Sequence, residues 1–286
     1  MSEGFVYSLL TGLFFGLQGV YGKMLAPKLS TPLITWGFVT FTLPFLLLFL
    51  ILSGFPPISF PDFLLATVVS FLINFICWYL FFQALQVSPL SHTMPYTAFT
   101  QVFLIPVAFF WLHEQPDPKA VLGILLIFAG GYGIHLSSKN IFAPIKSLFQ
   151  EKGTRLMLSV AFLWSISATA EKIAVVSSSQ AFYGTIISIL LSAAYLPILF
   201  RAEKQPFKKV KQFLPQLVLL GLINGFTLLF QFTALKYLFV SYVIAFKRTG
   251  IIVSVLIGIL FLKEKDGLKN LICSGLMTAG VFLILV

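Results

Sequence analysis

Residues 74–134 return, without a gap, at 224–284. A constant shift of 150 lays Asn74 on Asn224, Phe82 on Phe232, Ala84 and Leu85 on Ala234 and Leu235, Ser91 on Ser241, Glu114 on Glu264, and Ala129-Gly130 on Ala279-Gly280. Leucine and phenylalanine matches carry little weight in a chain this apolar, but the polar ones do. An internal repeat on this scale predicts two similar halves packed around a shared interior.

The solvent of those halves follows from composition. The chain is 58% hydrophobic and 10% charged, with a mean hydropathy of +0.99. Soluble domains carry roughly 25% charged residues. The chain therefore lacks the polar surface that water demands, and a bilayer is the expected solvent. A membrane-crossing helix needs about 20 mostly apolar residues. Ten segments qualify: 4–24, 33–53, 63–86, 91–112, 119–137, 154–175, 181–200, 213–235, 240–262 and 268–286. Breaks fall at Ser30-Thr31-Pro32, at the three-proline stretch Gly54–Pro61, at Ser88-Pro89 and at Gln115–Pro118. The alternation of a membrane β-barrel is absent. The expected fold class is an all-α membrane protein of ten transmembrane helices. A first five-helix repeat spans 1–137, a connector 138–153, and a second repeat 154–286. Five is odd, so the second repeat enters from the opposite side. The repeats are then inverted, as in many secondary transporters, with the site near the midplane between them.

The net charge of +10 sits in the short loops, which does not point to nucleic acid. One side carries Lys23, Lys28, Lys139, Lys146, Lys152, Arg155, Arg201, Lys204, Lys208, Lys209, Lys211, Lys263, Lys265 and Lys269, and the other Lys119, Lys172 and Lys236: fourteen against three. The positive-inside rule then places both termini outside and the connector in the cytoplasm. The start, MSEGFVYSLL, lacks a basic stretch and a small-residue cleavage site and reads as the beginning of a retained first span. Cys77 and Cys273 lie inside apolar segments as buried thiols. His92, His113 and His135 are scattered without metal spacing, and no Walker A, GxSxG, HExxH or CxxC motif occurs. The expectation is no catalytic centre, no metal and no cofactor, and transport run on gradients or exchange.

Charges and amides inside spans are the candidate site. Lys247 and Arg248 lie seven and eight residues into 240–262. A charge near the bilayer centre costs at least ~2.5 kcal/mol, so two in a row need partners or a wet cavity. The structural reading is that one snorkels or pairs. The functional reading is a cationic site, with Arg248 gripping a carboxylate or phosphate in bidentate fashion and Lys247 acting as a point charge. Glu171 is expected at a similar depth, as a partner for the pair and a proton-coupling group, or else as an interfacial residue beside Lys172. Asn74 and Asn224 line the cavity or hydrogen-bond across helices. The repeat makes them equivalent, which predicts comparable effects of apolar substitution at the two positions. Tyr96, Gln18 and Trp164 complete the substrate-binding set. Gln83, Thr100, Gln101, Gln231 and Thr233 are weaker candidates, and Trp36, Trp78, Tyr79 and Tyr242 are stacking or interface aromatics. Glu114 and Glu264 are expected to anchor helix ends at the interface.

Ten spans, the inverted repeat and a Glu ending the fourth span of each half resemble the drug/metabolite transporter superfamily, and within it the EamA-type permeases. The segments that carry the likeness are Phe110-Trp111-Leu112-His113-Glu114 with Gly123–Gly130, and Phe261-Leu262-Lys263-Glu264 with Gly275–Gly280. The resemblance implies a permease fold and leaves the substrate open, since the superfamily moves amino acids, sugars, nucleotide conjugates, phosphorylated metabolites and cations. Plastid sugar-phosphate translocators of that superfamily carry a similar Lys-Arg pair, used on phosphate, which supports an organic anion. One departure stands out. The EamA pattern places basic charge after span two, whereas here Ser53–Pro61 has none and Arg201–Lys211 has five basic residues. That implies a chain flipped relative to commoner relatives.

The expected function is a secondary active transporter of the cell membrane (a bacterial inner membrane) that moves a small organic anion by alternating access. It would work as a monomer or homodimer, with the bilayer and a small molecule as partners. The alternatives are an exporter of amino acids or other zwitterions and a flippase for a lipid-linked phosphate.

Overall fold

The computed structural model describes residues 2–112, 120–135, 150–264 and 267–283. Glu114, the Gln115–Pro118 break and most of the 138–153 connector lie outside the described residues. Within them the regular structure is helical: α1 Ser2–Leu25, α2 Thr31–Ser53, α3 Phe60–Val87, α4 Leu90–Thr93, a 3₁₀ stretch Met94–Ala98, α5 Phe99–Leu112, α6 Ala120–His135, α7 Lys152–Val176, α8 Gln180–Ala202, α9 Pro206–Gln212, α10 Leu214–Tyr237, α11 Val240–Lys247, α12 Gly250–Leu262 and α13 Gly267–Leu283. Proline opens α2, α3, α9 and α10, where its missing N–H costs nothing and its fixed φ suits a first turn.

Among the described residues, seven helical segments, with 240–262 taken as one, are long and apolar enough to cross a membrane. Val121–Ile134 and Gly267–Leu283 are shorter apolar helices. Large apolar side chains face outward along them, among them Leu52, Leu65, Leu260 and Leu268. A water-facing surface would not carry so many. The chain is a multi-pass membrane protein.

The 91–112 and 240–262 segments correct the sequence reading, which made each a single helix. Both are broken at repeat-equivalent places. In the first half the chain tightens to 3₁₀ at Met94–Ala98, where Pro95 cannot donate. In the second, Arg248, Thr249, Ile251 and Ile252 donate to carbonyls three residues back, between α11 and α12. Regular i→i−4 bonding is lost there, as in the discontinuous helices that build transporter sites.

The halves pack by pairs that map onto themselves when they are exchanged. Helix α3 lies on α7 and α1 on α10; α5 lies on α7 and α1 on α12; α2 meets α8, and α6 meets α13. The last pair shows the exchange residue by residue. A Cβ at Gly130 would meet the Cys273 carbonyl at 2.6 Å, and one at Gly280 would meet the Gly123 carbonyl at 2.5 Å. The shift of 150 turns one contact into the other.

Hydrogen bonds tie both ends of the bundle. At one end the Lys23 ammonium donates to the carbonyls of Leu85 and Ser88, 2.7 Å each. Glu264 accepts from the backbone N–H of Leu90 (2.7 Å) and Ser91 (2.8 Å), across the halves. It therefore does more than anchor a helix end. Lys263, at φ 52°, takes the left-handed turn that aims it, a conformation costing a non-glycine residue roughly 1–2 kcal/mol. Glu203 accepts from Ser30 (2.6 Å) and pairs with Lys209 (2.7 Å) at this end. Partial burial pushes the Glu203 carboxyl up, but these partners outweigh it and hold it below the ordinary value. At the other end Ser59 N–H donates to the Ser177 carbonyl, and Lys172 to the Leu238 carbonyl at 3.2 Å. Lys172 on Leu238 is the repeat image of Lys23 on Ser88, displaced to the opposite end. Gly4 packs on Leu238 and Gly153 on Ser88, so α1 and α7, equivalent helices, run in opposite directions.

Candidate functional site

Between the two ends lies a narrow cavity of about 40 Å³, lined by residues of both halves, Asn74, Trp78 and Thr100 from the first and Trp164, Glu171, Asn224, Gln231, Lys247 and Arg248 from the second among them. A pocket that holds a small molecule measures roughly 300–1,000 Å³, so this one must widen to take a ligand. Its charge comes from the second half. Lys247 is 7% exposed, Arg248 1% and Glu171 9%, so all three are withdrawn from water.

The acidic pole is a fully bonded carboxylate. Glu171 Oε1 accepts from Asn74 Nδ2 and from Ser167 Oγ, 3.1 Å each. Oε2 accepts from Gln231 Nε2 at 2.9 Å. The other end of that amide, Gln231 Oε1, accepts from Lys247 Nζ at 2.7 Å. Only this orientation presents N–H to the carboxylate and a carbonyl to the ammonium. Glu171 and Lys247 are thus joined through one amide. Helix spacing supplies the supporting hydroxyls: Ser167 sits one turn before Glu171, and Ser70 one turn before Asn74, whose amide it also accepts at 3.1 Å.

The basic pole is less complete. Phe15 and Trp164, equivalent under the shift of 149 that also relates Lys23 to Lys172, lie 6.0 Å apart beside the pair. Lys247 Nζ stands 4.7 Å from the Phe15 ring centre and 5.6 Å from that of Trp164. The Arg248 guanidinium stands at 5.5 and 6.0 Å. A cation–π contact contributes up to ~2 kcal/mol when desolvated, whereas burying an ion costs several kcal/mol. The rings offset part of that cost. Arg248 Nε and Nη1 are buried with no hydrogen-bond partner. Two cations and one carboxylate leave a single positive charge, with unused donors aimed at nothing.

The structure gathers six of the eight expected site residues around this cavity: Lys247, Arg248, Glu171, Asn74, Asn224 and Trp164. The other two lie elsewhere. Tyr96 is buried, but its hydroxyl donates to the Gly131 carbonyl at 2.9 Å and the residue does not line the cavity, because the 3₁₀ turn points it at α6. Gln18 is fully buried on α1 with neither amide atom partnered, and it too lies outside the lining. Of the weaker candidates, Gln231 proves central and Thr100 lines the cavity, while Gln101 donates to the Ser241 carbonyl. The sequence reading passed over Ser70, Ser167 and Tyr183, which donates or accepts at Ser70 Oγ at 2.5 Å. Ser70 and Ser167 carried a signal, the spacing of one helical turn from Asn74 and Glu171; Tyr183, on α8, carried none.

Asn74 and Asn224 are not matched in their bonding, contrary to the equal effects the repeat predicts. Asn74 serves the Glu171 carboxylate, while Asn224 Nδ2 donates to Thr42 Oγ1 at 2.9 Å and leaves Oδ1 unpartnered. Hydrogen bonds to charged groups contribute about 1.5–3 kcal/mol, and neutral ones between membrane helices about 0.6. Asn74→Leu is therefore expected to lower thermal stability in detergent clearly more than Asn224→Leu. Equal losses would show that the carboxylate does not depend on Asn74.

The EamA-like transporter family model matches the chain twice, over residues 2–136 and 151–286. A search of curated proteins returns no match. A solved crystal structure titled only as that of a protein superposes with a TM-score of 0.70 at 13% identity, covering 99% of this chain and 96% of that one. At that identity the likeness shows the fold alone.

Proposed function

The chain belongs to the EamA-like transporter family, and on that premise we propose that it is a ten-span, inverted-repeat secondary transporter that moves a small organic anion by alternating access. The observation that carries the substrate class is Arg248, buried in the cavity with Nε and Nη1 unpartnered beside a second cation. A carboxylate or phosphate oxygen pair fits a guanidinium edge and cancels the one uncompensated charge. The repeats run 1–137 and 154–286, joined by the 138–153 connector. The ties at the two ends open in turn, Lys23 and Glu264 on one face, Lys172 and the Ser59–Ser177 contact on the other.

Glu171 on the same cavity favours one second reading, a zwitterion with its amine at Glu171 and its carboxylate at the basic pair. Uptake of labelled metabolites into proteoliposomes tests both. Competition by simple carboxylates or phosphate, with none by amines, supports the anion; competition by both classes supports the zwitterion. Uptake indifferent to either would overturn both readings.

The fourteen-to-three distribution of basic residues supports both termini lying outside. A C-terminal alkaline phosphatase fusion is expected to be active and a C-terminal fluorescent protein dark. The reverse pattern would place the basic loops on the outer face, against the positive-inside rule.

A further inference from the structure

Among the described residues that line the cavity, Glu171 is the one acid, and its carboxylate offsets one of the two positive charges of the basic pair. We propose that Glu171 is a proton-binding site, and that a proton and the organic anion occupy the cavity together because each relieves the charge the other leaves. The proposal rests on the anion reading above and adds its coupling ion.

The sign follows from the charges. With Glu171 ionised, its carboxylate reaches Lys247 through the Gln231 amide, and the cavity holds one excess positive charge. A proton delivered from water forms a bond to a Glu171 oxygen; the donating hydronium becomes water, and nothing is oxidised or reduced. The excess rises to two positive charges, and Lys247 loses its bridged counter-charge. An anion then binds more tightly. By linkage the anion in turn favours the proton by the same factor. That sign makes the pair travel in one direction.

Glu171 is faced by Ser70, Asn74 and Cys77 on α3, Ser167 on its own helix, Tyr183 on α8, Gln231 on α10, and Lys247 and Arg248 at the α11–α12 break. Among these the two cations oppose the proton, and the neutral thiol and phenol hold no charge to give up to it. Gln231 is a positioning residue: its amide sets how strongly Lys247 is felt at the carboxylate.

Infrared difference spectroscopy against pH, on protein labelled with ¹³C at the glutamate carboxyls, tests the site without any substrate. A protonated-carboxyl band carrying the label shift is expected on acidification. In Glu171→Asp it should lose the label shift, and in Glu171→Gln disappear. Lys247→Gln should move its midpoint up by about one pH unit, a tenfold change in proton affinity, since a cation is removed. Gln231→Leu should move it too, though the carboxyl remains. No labelled band assignable to Glu171, or a midpoint unmoved by Lys247→Gln, would overturn the proposal. In proteoliposomes an inward proton gradient should drive accumulation of the anion in the wild type and not in Glu171→Gln; gradient-driven accumulation by Glu171→Gln would also overturn it. A titrating band with no anion transported at all would fault the transport reading and leave the proton site standing.

Discussion

Arg248→Ala and Lys247→Ala are each expected to abolish transport of the proposed anion or reduce it by a hundredfold or more, while the protein still inserts and folds. The two effects separate because the pair is unequally supported. Arg248 has buried, unpartnered Nε and Nη1 atoms, so its removal breaks no hydrogen bond at those atoms and relieves a desolvated charge. Replacing buried ionic groups with apolar ones is often neutral or stabilising by about 1–4 kcal/mol. The empty carrier is thus expected to melt at or above the wild-type temperature. Lys247→Ala costs somewhat more, since Gln231 Oε1 loses its donor. Arg248→Lys should fail as well if the grip is bidentate, because an ammonium cannot present two parallel N–H groups. Transport in proteoliposomes, with melting curves on the same preparations, reads both quantities. An Arg248→Ala carrier that transports normally removes the anion site from this cavity.

Gly250→Val is expected to lose most of the folded protein. Helices α1 and α12 touch through backbone here. A Cβ at Gly250 would collide with the Gly12 carbonyl oxygen and lie 2.9 Å from the Gly16 nitrogen, and one at Gly12 would lie 2.8 Å from the Phe246 carbonyl. No flexible side chain is available to give way, so α1 must move as a body. Over-packing commonly costs about 1–3 kcal/mol and more when backbone must shift. The break at Arg248-Thr249 rests on this contact, so the basic pair would be displaced with it. Gly275 is the control: nothing lies within 4 Å of a Cβ there, and Gly275→Ala should be neutral. Fluorescence-detected size exclusion after heating distinguishes the two. A Gly250→Val protein as stable as Gly275→Ala would mean that the helices do not approach so closely.

Much of this was legible in the sequence for simple reasons. Apolar runs of about 20 residues report spans whatever their packing, and the 150-residue repeat reports the pairing of halves, which Gly130 on Cys273 and Gly280 on Gly123 then display. Lys247, Arg248 and Glu171 were visible because charge inside an apolar run is costly and needs a reason. Three features were hidden. The breaks at 94–98 and 248–249 leave hydropathy untouched, since a 3₁₀ turn is as apolar as an α turn. Gln231 looked like one amide among several until folding set it between Glu171 and Lys247. Tyr96 had the right composition for a site, and the turn that carries it aimed its hydroxyl at Gly131 instead. Identity fixes what a residue can bond; which partner it meets is decided by the path of the backbone.

The central claim is that the Lys247–Arg248 cavity binds an organic anion, and binding itself tests it most directly. Purified protein is melted against a panel of carboxylated and phosphorylated metabolites, with neutral and cationic compounds of the same size alongside. A ligand at 100 times its Kd stabilises by about 2.7 kcal/mol through mass action, a shift well within reach of the method. The expected result is stabilisation by one or a few anions in the wild type, lost in Arg248→Ala. Stabilisation confined to neutral or cationic compounds, or an anion shift that survives Arg248→Ala unchanged, would contradict the account.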